Sequence, residues 1–259
     1  MTRKGKYKNN MGYKNSIMNP IPVRKMCFYE KYIKRLLDIL CALLAIVVFS
    51  PLYIVIAILV KIKLGSPIIF KQDRPGLIDA NGRESIFRMY KFRTMTDERD
   101  DSGNLRSDEE RMTKFGAWLR ETSLDELPEV FNILNGTMSV VGPRPQLVRD
   151  LVFMTDDQRI RHTARPGLSG LAQVNGRNSI TWESKLEWDS KYVSDVSLVG
   201  DIIIVFKTIG KSFFKHEGIS QDNMATAEDF GDYLLRTKKI SKNEYFEKQK
   251  YAEEILSSK

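Results

Sequence analysis

From Ile39 to Val60 the chain runs for 22 residues without a charged side chain, reading ILCALLAIVVFSPLYIVIAILV. As a helix, such a run is about 33 Å long, roughly the hydrocarbon thickness of a bilayer. The helix of a soluble core shows a polar face, and this run has none. It also starts too late and runs too long for a cleaved signal peptide. Membrane insertion is therefore expected. Ser50-Pro51 lies at the centre of the run, where proline removes a backbone hydrogen bond and crowds the preceding turn. A break there leaves two arms of about 11 residues, each about 17 Å long, which suit entry into one leaflet and return. Lys31, Lys34 and Arg35 precede the run, and Lys61 and Lys63 follow it, whereas a spanning helix usually carries its basic flank on the cytoplasmic side. On the residues alone two readings stay open, a re-entrant helix–break–helix and a proline-kinked transmembrane helix.

Charge is distributed unevenly. Of 259 residues, 41 are Lys or Arg and 33 are Asp or Glu, a net +8. Seven of the basic residues (Arg3, Lys4, Lys6, Lys8, Lys14, Arg24, Lys25) precede the first acid, Glu30, so the remainder of the chain is close to neutral. The basic balance thus describes a flexible cationic arm over residues 1–29 and gives no sign of a nucleic-acid partner. Two cysteines, Cys27 and Cys41, form no CxxC pair, and the histidines number two. Disulfide scaffolds, structural zinc and multi-histidine metal sites are excluded. Any metal would be held by oxygens, which favours magnesium or manganese.

Beyond the membrane segment (30–64) the pattern predicts an α+β domain, mostly helical, over residues 65–224. Ile68–Phe70 and Ser85–Phe92 read as strands of a short hairpin joined through Asp79 and Asn81-Gly82. Helical periodicity marks Phe115–Leu119, Leu127–Leu134 and Thr181–Val193, with Asn135-Gly136 as a helix stop. Asp201 opens an apolar stretch, Ile202–Phe206, followed by Lys207, Lys211 and Lys215. That stretch suits either an interfacial amphipathic helix or a buried core helix. Residues 225–259 read as a charged helical tail, and no internal repeat is present.

Three stretches could carry chemistry. Ser123-Leu124-Asp125-Glu126-Leu127-Pro128 has the form of a capping box, with Ser123 at the N-cap and Glu126 at N3; a helix start nearer Pro128 is the alternative. Capping alone accounts for the glutamate. Adjacent carboxylates can also divide the work of attacking phosphorus and holding a divalent cation. In Gly142-Pro143-Arg144-Pro145, Pro143 and Pro145 fix the backbone around an arginine suited to phosphate, or simply make a rigid turn. Arg120, five residues before Asp125, joins the same pocket or is a solvated helix face. Arg165–Asn178 holds three glycines and Arg177, a loop that either approaches an anion or serves as a connector. It matches neither a Walker loop nor a dinucleotide fingerprint.

Taken in order, Lys34-Arg35-Leu36-Leu37-Asp38, Ser50-Pro51, Gln72–Gly76, Lys91–Met95, Ser123–Leu127, Gly142–Pro145 and Arg165–Asn178 resemble the bacterial sugar transferases, the monotopic polyprenyl-phosphate phosphoglycosyl transferases. The likeness spans about residues 30 to 220. It is nearest to the small members that hold the catalytic domain alone, such as those that start bacterial N-linked glycoprotein assembly on a diacetamido sugar phosphate. The resemblance implies a re-entrant helix broken at Ser50 and Pro51, with both termini cytoplasmic, on the inner membrane of a bacterium. It implies Asp125 as nucleophile, Glu126 as its partner, and Mg2+ at this pair. Arg120, Arg144 and Asp201 match further active-site positions, and Arg177 falls in the nucleotide-side loop. The implied partners are a UDP-sugar donor, N-acetylated or related, polyprenyl phosphate and membrane lipid, with self-association left open. The implied product opens a glycoconjugate pathway. Leu171 departs from the tryptophan that relatives often carry. Two alternatives compete: a membrane-associated glycosyltransferase that releases UDP, and a scaffold in which the acids only cap a helix.

Overall fold

The computed structural model describes residues 18–176, 180–214 and 228–258. After a short π-helical turn, Tyr29–Ile33, the apolar run forms helix α1 (Lys34–Leu64). Pro51 lies inside this helix, which continues through it rather than stopping there. The local chemistry explains the continuity. Proline has no N–H for the carbonyl four residues back, and that carbonyl belongs to Val47. The Ser50 hydroxyl donates to it instead, at 2.9 Å.

Along α1 the buried residues are Lys34, Asp38, Ala42, Ile56, Val60 and Leu64. Leu40, Leu44, Val47, Val48, Ile54, Val55, Ile58 and Ile62 are exposed. Only 11% of its most apolar 18-residue window is buried in the protein. A helix this long and apolar, with its hydrocarbon surface turned outward, belongs to a membrane-associated chain.

The hairpin forms as expected. β1 (Ile69–Ile78) pairs antiparallel with β2 (Glu84–Phe92). The Asp79 carboxylate accepts from the N–H groups of Asn81 and Arg83 and closes the turn. β1 is longer than the sequence suggested, because an edge strand tolerates Pro75 next to a bulge.

Short helices follow: α2 (Asp108–Arg111), α3 (Lys114–Glu121) and α4 (Glu129–Asn135), the last ended by left-handed Gly136. β3 (Ser139–Val141) then runs parallel to β4 (Gly167–Ser169), with α5 (Val148–Leu151) and α6 (Asp156–Arg159) between them. α7 (Leu171–Val174) leads to α8 (Trp182–Ser194), capped by Thr181, and α9 (Leu198–Phe214). On α9, Ile204 and Asp201 are buried, while Leu198, Val199, Ile202, Ile203, Phe206 and Ile209 are exposed. The helix is thus amphipathic, not enclosed in a core.

The described residues near both ends pack against the domain. The arm gives way to ordered contact before residue 29: Ile21 is buried, its N–H donates to the Gly82 carbonyl, and the Asn19 carbonyl accepts from Arg159. The charged tail is helical, as α10 (Phe230–Arg236) and α11 (Lys242–Ser257). It does not stand free, because Phe230 and Ala252 enter a core with Leu151, Phe153, Trp182 and Leu186. Apolar residues spaced among charges, which the tail's overall polarity obscured, account for the difference.

Candidate active site

Asp125 and Glu126 sit on a single 3-10 turn, Leu124–Glu126, ahead of α4. The capping box expected at Ser123 is not formed. Ser123 adopts a left-handed conformation (φ 56°) and makes no side-chain cap, and α4 begins three residues beyond the pair with Pro128 at its N-cap. The Pro128 start fits the helix better because proline lacks the N–H that a first turn leaves unpaired. Glu126 is therefore released from capping, and its carboxylate turns to cations.

Two long-range contacts supply those cations. Arg144 Nη2 donates to Glu126 Oε1 at 2.6 Å, and Lys91 Nζ donates to the same oxygen at 2.8 Å. Lys91 also lies 3.3 Å from Glu129 Oε1 and 3.9 Å from Asp125 Oδ2. It stands on β2, and β2 is fixed to α4 by Asn132. That side chain donates to the Arg88 carbonyl at 2.8 Å and accepts from the Tyr90 N–H at 3.0 Å. A buried amide satisfied on both ends is a strong register lock.

The Arg144 loop is equally constrained. Gly142 N–H donates to the Ser169 carbonyl at 2.8 Å, and Gly167 N–H donates to the Pro143 carbonyl at 3.0 Å. A Cβ on Gly142 would lie 2.2 Å from the Arg165 carbonyl oxygen, so only glycine permits this approach. Gly167 and Gly170 thus serve backbone packing against Gly142 here. Arg161 donates to the Arg144 carbonyl at 2.6 Å and is itself paired with Asp189 on α8.

Helix α1 reaches the pair directly. The Tyr53 hydroxyl, two residues past Pro51, donates to the Leu127 carbonyl, and its ring meets Phe92 and Phe131. The acids are consequently held beside the middle of the apolar helix.

Electrostatics separate the two carboxylates. Burial, and secondly the Glu126 charge, push the Asp125 carboxyl up to about 6. Burial acts upward on Glu126 too, but Arg144 and Lys91 outweigh it and hold that group below the usual carboxylate range. Glu129, which the motifs did not single out, is buried and is lifted by burial to about 7, against the pull of Lys91. Its signal was spacing: it follows Asp125 by four residues and Glu126 by three.

Of the other expected residues, Arg120 donates to Thr94 Oγ1 at 3.0 Å, and burial lowers its guanidinium against the influence of Asp125. Asp201 belongs to a different cluster. It accepts from Tyr29 at 2.7 Å, from Tyr192 at 2.9 Å and from Lys34, tying α9 to the start of α1. Arg177 lies outside the described residues.

Comparison with known proteins identifies the family. A family model described as bacterial sugar transferase matches residues 29–215. An uncharacterized sugar transferase, EpsL, of Bacillus subtilis is 46% identical over 198 residues, covering 76% of this chain and 95% of EpsL. A UDP-glucose:undecaprenyl-phosphate glucose-1-phosphate transferase of Klebsiella pneumoniae is 42% identical over 55% of this chain, and the match spans 31% of that longer protein. A UDP-N-acetylgalactosamine-undecaprenyl-phosphate N-acetylgalactosaminephosphotransferase of Aeromonas hydrophila is 41% identical over 55% of this chain and 34% of its own length. The chain belongs to the bacterial sugar transferase family.

Proposed function

We propose that this protein transfers a sugar 1-phosphate from a UDP-sugar to polyprenyl phosphate and releases UMP, through a covalent intermediate on Asp125. The observation that carries this reading is the asymmetry of the two acids. Glu126 is charge-paired with Arg144 and Lys91, whereas Asp125 meets Lys91 at 3.9 Å, beyond hydrogen-bond distance. A carboxylate left less tightly paired keeps its oxygen available as a nucleophile.

In the first step an Asp125 oxygen attacks the donor's β-phosphorus. The bond to the bridging oxygen breaks, and UMP leaves with that electron pair. In the second step an oxygen of polyprenyl phosphate attacks the same phosphorus, the bond to Asp125 breaks, and the carboxylate is restored. Arg144 and Lys91 stabilise charge on the transferred group, the main requirement in phosphoryl transfer. Two steps suit a polar donor and a lipid acceptor that need not bind together.

Mg2+ fits the donor set. Among the described residues no group of three acidic, histidine or cysteine side chains forms a metal cage, but Mg2+ usually takes one or two carboxylates and completes its shell with phosphates and water. Asp125 and Glu126 would hold it, and it would neutralise phosphate charge.

The same reading places α1 as a re-entrant helix on the inner leaflet, with both termini cytoplasmic. Basic flanks at both ends of the run support it. Exposed apolar side chains on α9 then rest at the interface. Arg120 and Arg177 would bind phosphate on the nucleotide side, and Asp201 would set the joint between α1 and α9. The relatives' names include both glucose and N-acetylgalactosamine donors, so a screen across UDP-sugars with polyprenyl phosphate and Mg2+ in detergent identifies the sugar.

The test is incubation with donor alone. A phosphosugar adduct on Asp125 and one equivalent of UMP are expected from the native chain, and neither from Asp125→Asn. Release of UDP, or full turnover by the Asn variant, overturns the reading.

A further inference from the structure

Other arginines near the site have carboxylate partners: buried Arg159 pairs with Glu84, buried Arg161 with Asp189, and half-buried Arg144 with Glu126. Arg74 on β1 differs. Its Nη1 donates to the Pro145 carbonyl at 3.1 Å and its Nη2 to Gln72 Oε1 at 2.6 Å, both neutral acceptors. Its Nε is sealed from solvent without a partner, and among the described residues no acid lies within ion-pair distance. Asp150, Glu129 and Asp229 act on this guanidinium only from beyond ion-pair distance, so its close partners are all neutral, and an anion at the pocket would complete its hydrogen bonding and its charge. Arg74 and Arg144 line the same small pocket, with a cavity volume of about 50 Å3, together with Met89, Glu129, Pro145 and Gln146. The one acid in that lining, Glu129, lies 3.3 Å from Lys91, a cation it shares with Glu126 and Asp125.

We infer that Arg74, with Arg144 and Gln146, forms a phosphate subsite that holds the phosphate of the leaving nucleotide. The inference rests on the proposed transfer reaction and assigns a residue to its leaving-group side. The geometry argues for the nucleotide. Arg144 touches Glu126 with one nitrogen and is also among the residues that line the pocket with Arg74, which sets that pocket next to the acid pair. Attack and departure at phosphorus are roughly in line, which puts the leaving oxygen on the side away from the nucleophile. Arg74 also grips the carbonyl of Pro145, so ligand binding at the subsite and the placement of Arg144 are coupled. Burial and the neighbouring Arg144 charge bring the Arg74 guanidinium down to about 10, still protonated at neutral pH.

The same chemistry would suit the phosphate of the lipid acceptor, and the experiment separates the two. UMP and uridine binding, product inhibition by UMP, and the KM for polyprenyl phosphate are measured on the full chain in detergent with Mg2+, for the native protein and Arg74→Gln. The expected result is UMP binding weakened at least tenfold, with uridine binding and acceptor KM changed less than twofold. UMP affinity within twofold of native overturns the subsite. A tenfold rise in acceptor KM without loss of UMP binding overturns the nucleotide assignment. Should the Gln variant not fold, thermal unfolding of the native chain decides: stabilisation by UMP no greater than by uridine refutes the inference. If the native enzyme releases UDP, the proposed reaction itself fails, which is a separate result.

Discussion

Glu126 and Arg144, 18 residues apart in the chain, are joined by a 2.6 Å hydrogen bond between Oε1 and Nη2. The contact exists because β3 and β4 hold the arginine loop against the turn that carries the acids. Arg144→Lys keeps a charge but loses the fork that can hold a carboxylate and a phosphate together. Turnover, read as UMP release, is expected to fall about 100- to 1,000-fold, with the unfolding temperature nearly unchanged. A lysine variant within threefold of native would show that the planar fork is unnecessary.

Lys91 is shared by three acids, so its loss leaves like charges packed together. Lys91→Met should destabilise the protein by about 3 kcal/mol, the scale for breaking a buried pair. Adding Glu129→Gln should recover part of that loss, because it removes one of the stranded charges. Unfolding of the two single variants and the double variant in detergent checks this, and additivity of the two single effects would contradict the shared role.

A second buried cluster makes the fold acid-sensitive. Burial lowers His162 to about 4 despite its contact with Glu84, so the native state keeps it neutral where the unfolded chain, near 6.5, takes up a proton. Glu84 is held near 2 because His162 and Arg159 outweigh its burial. In both cases the unfolded chain binds more protons, so stability falls as pH falls. The histidine contribution is lost from about pH 6.5 down to 4, and the glutamate contribution from about 4.5 down to 2. Asp125 and Glu129, lifted to about 6 and 7, act in the opposite sense over the same range, so the check, read by thermal unfolding, is a difference: between pH 7 and pH 5 the native chain should lose more stability, or gain less, than His162→Gln.

Ser50 supplies the donor that Pro51 cannot. Ser50→Ala leaves the Val47 carbonyl without the hydroxyl and is expected to cost about 1 kcal/mol. For the topology, tags at both ends of the native chain should be reached by membrane-impermeant reagents only after the cytoplasmic side is opened. A tag on the far side at the C-terminus would overturn the re-entrant arrangement and favour a spanning helix.

Much of this protein is decided locally and can be read along the chain. An uninterrupted apolar run has one solvent that suits it, an Asx turn closes a hairpin between alternating strands, and glycine ends a helix after Asn135. The candidate nucleophile and its partner were likewise legible as neighbouring acids. Their environment was not. Ser123 and Glu126 carry a capping pattern that the backbone does not use, because the cations reaching Glu126 come from residues 18 and 35 positions away. Lys91, Glu129 and Arg74 acquire meaning only when Asn132 locks β2 to α4 and the arginine loop closes over β1. Asp201 shows the same limit: its partners Tyr29 and Lys34 lie more than 160 residues earlier. Charge pairing and burial depend on distances through space, and a linear pattern records only distances along the chain.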